Sequence, residues 1–439
     1  MHTIKKFLQE KLPLKEGPQL QRLYFWGLLF FIIGLMTQDY QKIPLTGGFS
    51  FVMLMCLFSG NFKAKFRRLY QRKAIFFLLI FYILHWIVLF VTENGHEASR
   101  NLSLKTSLLL IPFSLGSVQE PVNKAQARIL LNTFIYGLGL VCFIDLSYAL
   151  YRYIETGSSS YFFYDQLPQV IRRKQHYLGW YLSTGIALII WRLLTNYPFE
   201  KKGLKYVHIL LMILFFVVIL LLSTRAQILG IIFMFTVGSI AYSYQKKILL
   251  KGILTTLSAM LLIGASLYIV PKTRERIVET YDEWKEWKYG EGKKDTNVRV
   301  FIWKYGVEVF QENLVLGTGP GDADDDLHVK FEKCEEQFWS GKRNFLLSEK
   351  TYNYHNQFLQ SAASLGVLGL LVLTLVFLWP FLYHRKNSLL LLFICLSFFG
   401  FFTESMLERQ AGVLFFAFMY PFLYLTGETT PERKYASRE

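Results

Sequence analysis

The sequence predicts an all-α protein that crosses a membrane many times. Three observations carry this. Of 439 residues, 53% are hydrophobic and only 18% are charged, and the mean hydropathy is +0.29. Apolar runs recur from Leu23 to Leu425, several of them near the roughly 20 residues that a helix needs to cross a bilayer. The basic residues are concentrated in the short segments between the runs. Soluble domains, disorder, collagen and a disulfide scaffold are all excluded by this composition.

Residues 1–22 are charged throughout and form a cytoplasmic segment, with an interfacial helix as one reading. No small-residue cleavage site follows the first apolar run, so a cleaved signal peptide is not expected. About twelve spans follow, near 23–36, 45–60, 74–92, 106–117, 129–151, 177–195, 206–222, 227–244, 252–270, 358–383, 388–402 and 411–426. Residues 23–270 thus hold spans one to nine, 358–426 hold the last three, and 427–439 form a tail. The 61–73 loop carries six basic residues and no acid. The basic loops at 196–205, 245–251 and 384–387 fall on the same side as it, together with both tails. That side is the cytoplasm by the positive-inside rule.

Three segments face the other side: the 152–176 loop, the turn at 223–227, and the large segment 271–357. The stretch 271–355 holds 14 Lys/Arg and 17 Asp/Glu, so the net charge of +16 lies elsewhere in the chain. A basic excess in cytoplasmic loops needs no nucleic acid to explain it. The outer segment reads as mostly helical, with Ile302, Tyr305 and Val309 at helical spacing and a Gly/Pro breaker at 316–322. Cys56, Cys142 and Cys395 lie in apolar runs. Cys334 has no evident disulfide partner, and no C-x2-C metal spacing occurs.

Ionisable residues at span ends are the informative ones. Arg225 sits between two strongly apolar runs. It is either a snorkelling side chain or an anion-binding group at the outer membrane face. His355 stands directly before the tenth span in Tyr354-His355-Asn356-Gln357. Gly366 and Gly369 follow it, where a helix or lipid chain can approach closely. The turn at 317–321 lacks the G-K-[ST] and the strand of a phosphate loop, so it reads as a tight turn. Asp322, Asp324 and Asp326 resemble the start of a calcium loop. However, Leu327 and Lys333 stand where Gly and Glu are needed. Asp145 is expected to pair with a polar neighbour, and His85 to be a satisfied interior histidine.

At these residues the chain resembles the O-antigen ligase / O-antigen polymerase superfamily of bacterial membrane glycosyltransferases. The superfamily motif H-[NSQ]-x9-G-x2-[GTY] is matched by His355, Asn356, Gly366 and Gly369. Arg225 after the seventh span and Arg299 at the start of an outer-loop helix agree with it. So do the LGTGPG turn and the acidic turn with Glu404, Glu408 and Arg409. The resemblance is best from about 206 to 426, and the first five spans match only in hydropathy.

The resemblance implies a GT-C-like fold, a site facing the periplasm, and a metal-independent, inverting transfer in the bacterial inner membrane. The donor it implies is a glycan on undecaprenyl pyrophosphate. The ligase branch joins that glycan to lipid A–core, the polymerase branch to another lipid-linked repeat, and a third branch to protein. The span count, the single large outer loop and the spacing of Arg225, Arg299 and His355 resemble the ligase most. The donor carries its own leaving group, so no nucleotide pocket or cofactor is required.

The chemistry then needs cations on the diphosphate, which suits the fixed fork of arginine. It also needs a base for the acceptor hydroxyl. Arg225 and Arg299 are the candidates for the first role and His355 for the second, with Asn356 or Tyr354 to orient it. Arg172, Arg173 and Arg409 are candidates for acceptor phosphates. The competing class is a twelve-helix transporter. Such carriers show repeated halves and a site at the bilayer midplane; this chain has no internal repeat, and its candidate groups lie at one face.

Overall fold

The computed structural model describes residues 16–37, 42–194, 202–245, 298–333 and 352–428, with scattered positions between 247 and 281. Among them there is no β-strand, and the protein is an all-helical, multi-pass membrane protein. Much of the expected ninth span and residues 282–297 and 334–351 of the large outer segment lie outside the described residues.

The first half runs through α1 (Pro18–Thr37), α2 (Ile43–Phe58), α3 (Phe62–Gln71), α4 (Lys73–Ile87), α5 (Gly95–Lys105), α6 (Ser107–Ser117), α7 (Lys124–Thr156) and α8 (Gln175–Leu194). The second half has α9 (Lys202–Leu222), α10 (Arg225–Gln245), α11 (Val298–Glu312), α12 (Ala323–Glu332), α13 (Gln357–Tyr383), α14 (Ser388–Thr403) and α15 (Gln410–Glu428). Among the described residues, six helices are long and apolar enough to cross a membrane, in α1, α4 with its extension to Val91, α7, α9, α13 and α15. Shorter apolar helices occur in α2, α10 and α14.

Three helices differ from the hydropathy reading, each because polar caps extend or start a helix outside an apolar run. The basic segment expected as a loop at 61–73 contains α3. Asn61 begins it by accepting from the Lys63 amide at 2.8 Å, and Lys65 and Leu69 are buried. Helix α5 was not expected; it starts at Asn94, which accepts from the Glu97 amide. It continues almost directly into α6, whose Thr106 neighbour keeps helical backbone angles. Helix α7 extends well beyond the expected 129–151, from an Asn123/Gln126 capping box to a left-handed Gly157, the two signals that begin and end helices.

Helix α15 is the hub of the bundle. Nearly all of it is buried, as an all-round apolar helix must be. It packs against α6 and α14. Its Phe415 stacks on Tyr181 at 3.9 Å and meets Trp180 edge-on at 4.9 Å. In a bilayer, where lipid tails are as apolar as side chains, such close packing is what holds helices together.

The helix ends sort into two faces. On one, Arg68 and Arg72 donate to the carbonyls of Gly116, Ser117, Val118 and Gln119, and Asn387 donates to Leu423 and Tyr424. On the other, the segment before α5 meets the turn before α12, and the turn after α14 meets the start of α13.

Helix α13 is broken one-third of the way along. Gly366 has φ 66° and ψ −161°, a conformation essentially restricted to glycine. A break in an apolar helix leaves main-chain groups that need partners. The outer turn supplies them: Thr318 and Gly319 donate to the carbonyls of Ala363 and Ser364 at 2.9 and 3.0 Å, and Val367 donates to Leu314 at 2.7 Å. The fit is close enough that a Cβ at Gly366 would lie 2.3 Å from the Val315 oxygen. The expected close approach at this glycine is therefore made by the protein's own outer turn. The turn at 317–321, expected as a tight turn, docks on the break in α13.

Candidate active site

The break at Gly366 separates the first nine residues of α13, Gln357–Leu365, from the rest of the helix. Asn356 is its N-cap and accepts from the amides of Phe358 and Leu359 at 2.9 and 3.1 Å. The residue before it, His355, is held at φ +44°, a strained setting for a non-glycine residue and one common at functional sites. The Asn353 side chain accepts from its amide at 3.0 Å.

That geometry aims the imidazole at the turn after α14. His355 Nδ1 lies 2.8 Å from Glu404 Oε1. The other oxygen of Glu404 accepts from Arg299 Nη2 at 3.5 Å. A single carboxylate, 12% exposed, thus bridges the histidine and the arginine. Burial pushes Glu404 upward, but the His355 hydrogen bond and charge, with His176 and Arg299, outweigh it and hold the carboxyl at about 2. An acceptor on Nδ1 fixes that nitrogen as the proton carrier and leaves Nε2 as the open lone pair.

The expected residues divide. His355 and Arg299 are brought together on Glu404. Arg225 opens α10 and is half-buried. It lies at the same end of the bundle, because a Cβ on Gly400 would sit 3.1 Å from the Gln227 amide nitrogen. Arg409 is exposed at the start of α15, and its charge acts on Tyr177 along with that of Glu404. Arg172 is exposed, at φ +55°.

Three expectations are corrected. Tyr354 does not orient the histidine: it is fully buried, and its hydroxyl donates to the Ala323 carbonyl at 2.7 Å. Asn356 does not orient it either, since its side-chain oxygen caps α13. Arg173 is 3% exposed. It donates to the Leu35 carbonyl at 2.7 Å and lies over the Tyr181 ring, so it secures the end of α1 rather than meeting an acceptor.

Sequence reasoning assigned no role to Glu404 or His176. The signal for Glu404 was present: an acidic residue at a span end, in a turn already singled out. His176 begins α8 and feels the charges of Glu404, Arg299 and His355; nothing in its local sequence marks it. Among the described residues no group of His, Cys, Asp and Glu could hold a metal ion.

Beside the cluster an apolar cavity of about 910 Å³ runs between α11, α13 and α14. Asn356, Trp303 and Phe402 line the end nearest His355, and Phe358, Phe377 and Phe381 line its length.

The all-helical membrane protein thus carries a His–carboxylate–Arg cluster at one bundle face, next to an apolar cavity. Residues 210–374 match the model of a family described as O-antigen ligase. The match supports a likeness of this stretch to the O-antigen ligase/polymerase superfamily, whose members are membrane glycosyltransferase-like enzymes. The match holds Arg225, Arg299, His355 and both motif glycines, whereas Glu404 lies beyond it. An uncharacterized protein of Haemophilus influenzae is 22% identical over 366 residues, covering 79% of this chain and 84% of that protein.

Proposed function

We propose that this protein is an O-antigen ligase of the bacterial inner membrane. It transfers a glycan from undecaprenyl pyrophosphate to a hydroxyl of lipid A–core, with inversion and without a metal. Its 271–357 segment and the His355 face are periplasmic. The observation that supports the reading is the junction of two environments: the His355–Glu404–Arg299 cluster adjoins the apolar cavity, which Asn356, Trp303 and Phe402, each on the same helix or turn as one of the three, help to line. A lipid diphosphate has the same two parts, an anionic head and a hydrocarbon tail.

In this mechanism the acceptor hydroxyl meets His355 Nε2, which takes its proton. The oxygen attacks the anomeric carbon from the face opposite the diphosphate. The sugar–phosphate C–O bond breaks, and its electron pair leaves on the lipid diphosphate. Arg299 and Arg225 stabilise the charge that grows there, an interaction stronger in the transition state than in the ground state. Glu404 keeps the imidazole in the reactive tautomer and favours the imidazolium that forms. Arg172 and Arg409, both exposed on this face, suit acceptor phosphates.

The family match also covers polymerases. A deletion strain separates the two: loss of a ligase removes all O-chain from lipid A–core, whereas loss of a polymerase leaves one repeat attached. A gel of lipopolysaccharide showing a single repeat would overturn the ligase assignment, and an unchanged profile would overturn both.

A further inference from the structure

A buried ion pair joins the first half of the chain to the turn that carries Glu404. Lys105, the last residue of α5, has its ammonium 2.8 Å from the Glu408 carboxylate, with side chains 4% and 10% exposed. The two residues are 303 apart in sequence. Lys105 also donates to Asn101 Oδ1 at 3.0 Å, and Asn101 Nδ2 donates to the Pro320 carbonyl at 2.7 Å. One ammonium therefore ties together α5, the docking turn at 317–321 and the turn after α14.

The last of these turns is gripped from its other side by the first turn of α13. Gln357 Oε1 accepts from the Leu407 amide at 2.6 Å, and Gln357 Nε2 reaches Glu408 at 3.5 Å. Ser405 Oγ accepts from the Asn356 amide at 3.3 Å and reaches Gln360 Oε1 at 3.4 Å. Gln360 Oε1 also accepts from the Tyr354 amide at 3.1 Å. Gln360 is thus bonded both to Tyr354, beside His355, and to Ser405, beside Glu404, while Gln357 grips the far end of the same turn at Leu407 and Glu408, where the Lys105 ammonium of α5 also binds.

Stability alone does not account for such a pair. Exchanging a buried ion pair for apolar or neutral residues of similar volume is often neutral or stabilising, whereas removing one partner is costly. What a buried pair of this kind does fix is geometry. We propose that Lys105 and Glu408 are positioning residues: they hold the 404–408 turn so that the Glu404 carboxylate stays on His355 Nδ1. This inference rests on the transferase reading above, and it adds to the reaction a residue from the half of the chain that the family match leaves out.

The test uses the full-length protein, purified in detergent and supplied with undecaprenyl-pyrophosphate-linked glycan and lipid A–core. Four proteins are compared with wild type: Lys105→Met/Glu408→Gln, Lys105→Met alone, Lys105→Arg and His355→Ala. The double variant leaves no buried charge unpaired, so it is expected to fold and melt close to wild type, whereas Lys105→Met alone is expected to melt lower. A displacement on the order of 1 Å at a reacting group costs about a hundredfold. The double variant should therefore turn over roughly ten- to a hundredfold more slowly, with its KM for donor within about threefold of wild type. Lys105→Arg, which keeps the cation, should retain most of the turnover.

A well-folded double variant that turns over within about twofold of wild type overturns the positioning role. So does a loss that appears in KM alone, or a Lys105→Arg protein as slow as the double variant. A wild-type protein that transfers nothing, or a His355→Ala protein that transfers normally, overturns the transferase reading instead, and the positioning role falls with it.

Discussion

On one face of the bundle, Arg68 and Arg72 place their guanidiniums against the carbonyls that end α6. On the other, Arg172 and Arg409 are exposed, and Arg299 keeps 43% of its side chain accessible while donating to the Glu404 carboxylate. Both faces are arginine-bearing helix ends, and hydropathy treats them alike. The difference lies in what the fourfold deficit of partners at a helix C-terminus demands. Where carbonyls end without partners, arginine completes them and stiffens the fold. Where the helix end is an N-terminus, as at Asn356, its N–H groups need an acceptor that arginine cannot supply, and the carbonyls at the break in α13 are taken by Thr318 and Gly319, so arginine is not called on at these ends.

His355→Ala tests the reactive face most severely. Removing a placed base typically costs about 10²–10⁴-fold, so transfer should fall by that factor while insertion and donor binding persist. Immunoblotting of membranes beside the lipopolysaccharide gel measures both. Normal transfer by a well-expressed protein would return His355 to a structural role.

The next effect belongs to the arginines on that face. Lysine keeps the charge but loses the planar fork, so Arg299→Lys and Arg225→Lys should each lose roughly tenfold or more in turnover, and the alanine changes more. Two groups serving one diphosphate should be non-additive. Simple multiplication of the single effects in the double variant would place the two arginines on different groups.

Arg72→Ala sharpens the contrast from the opposite face. Its guanidinium donates to Gly116, Val118 and Gln119 at 2.6, 2.7 and 2.9 Å. Hydrogen bonds with a charged partner contribute about 1.5–3 kcal/mol, so the variant should melt lower in detergent. The turnover of whatever remains folded should match wild type. A turnover defect without a melting defect would erase the distinction between the faces.

The same contrast marks what the sequence makes legible. Apolar runs locate most of the bundle because a bilayer imposes length and composition directly. They miss α3 and α5, which begin on the caps Asn61 and Asn94, and the ends of α7, which caps set as well. The motif finds His355 and the two glycines, and the structure supplies the reason for Gly366: a break whose carbonyls another segment must satisfy. Glu404 escapes assignment because its partnership with His355 spans 49 residues of chain, and Lys105 escapes because its partner is 303 residues away. Tyr354, Asn356 and Arg173 mislead for the converse reason: their residue types suit a site, but main-chain groups nearby already engage them.

The smallest effect on transfer is expected at Asp324, at the edge of the lattice behind His355. Its carboxylate accepts from Gln360 Nε2 at 2.9 Å. Burial raises it to about 7, with Glu408 and Asp325 adding to the rise and Gln360 and Lys105 opposing it. An unfolded aspartate titrates near 3.9 (about 4). Between about pH 4 and 7 the folded protein therefore holds a proton that the unfolded chain has released. Raising the pH through that window weakens the fold by this group's share, and above about 7 the whole cost is present. Asparagine keeps the size and the acceptor for Gln360 but does not titrate. Asp324→Asn should consequently melt close to wild type near pH 4.5 and progressively above it toward pH 8, with transfer unchanged at every pH where both are folded. A variant that melts below wild type at pH 8 would mean that the attraction of Lys105 for the carboxylate outweighs its burial. A collapse of transfer would move Asp324 from the supporting lattice into the reaction itself.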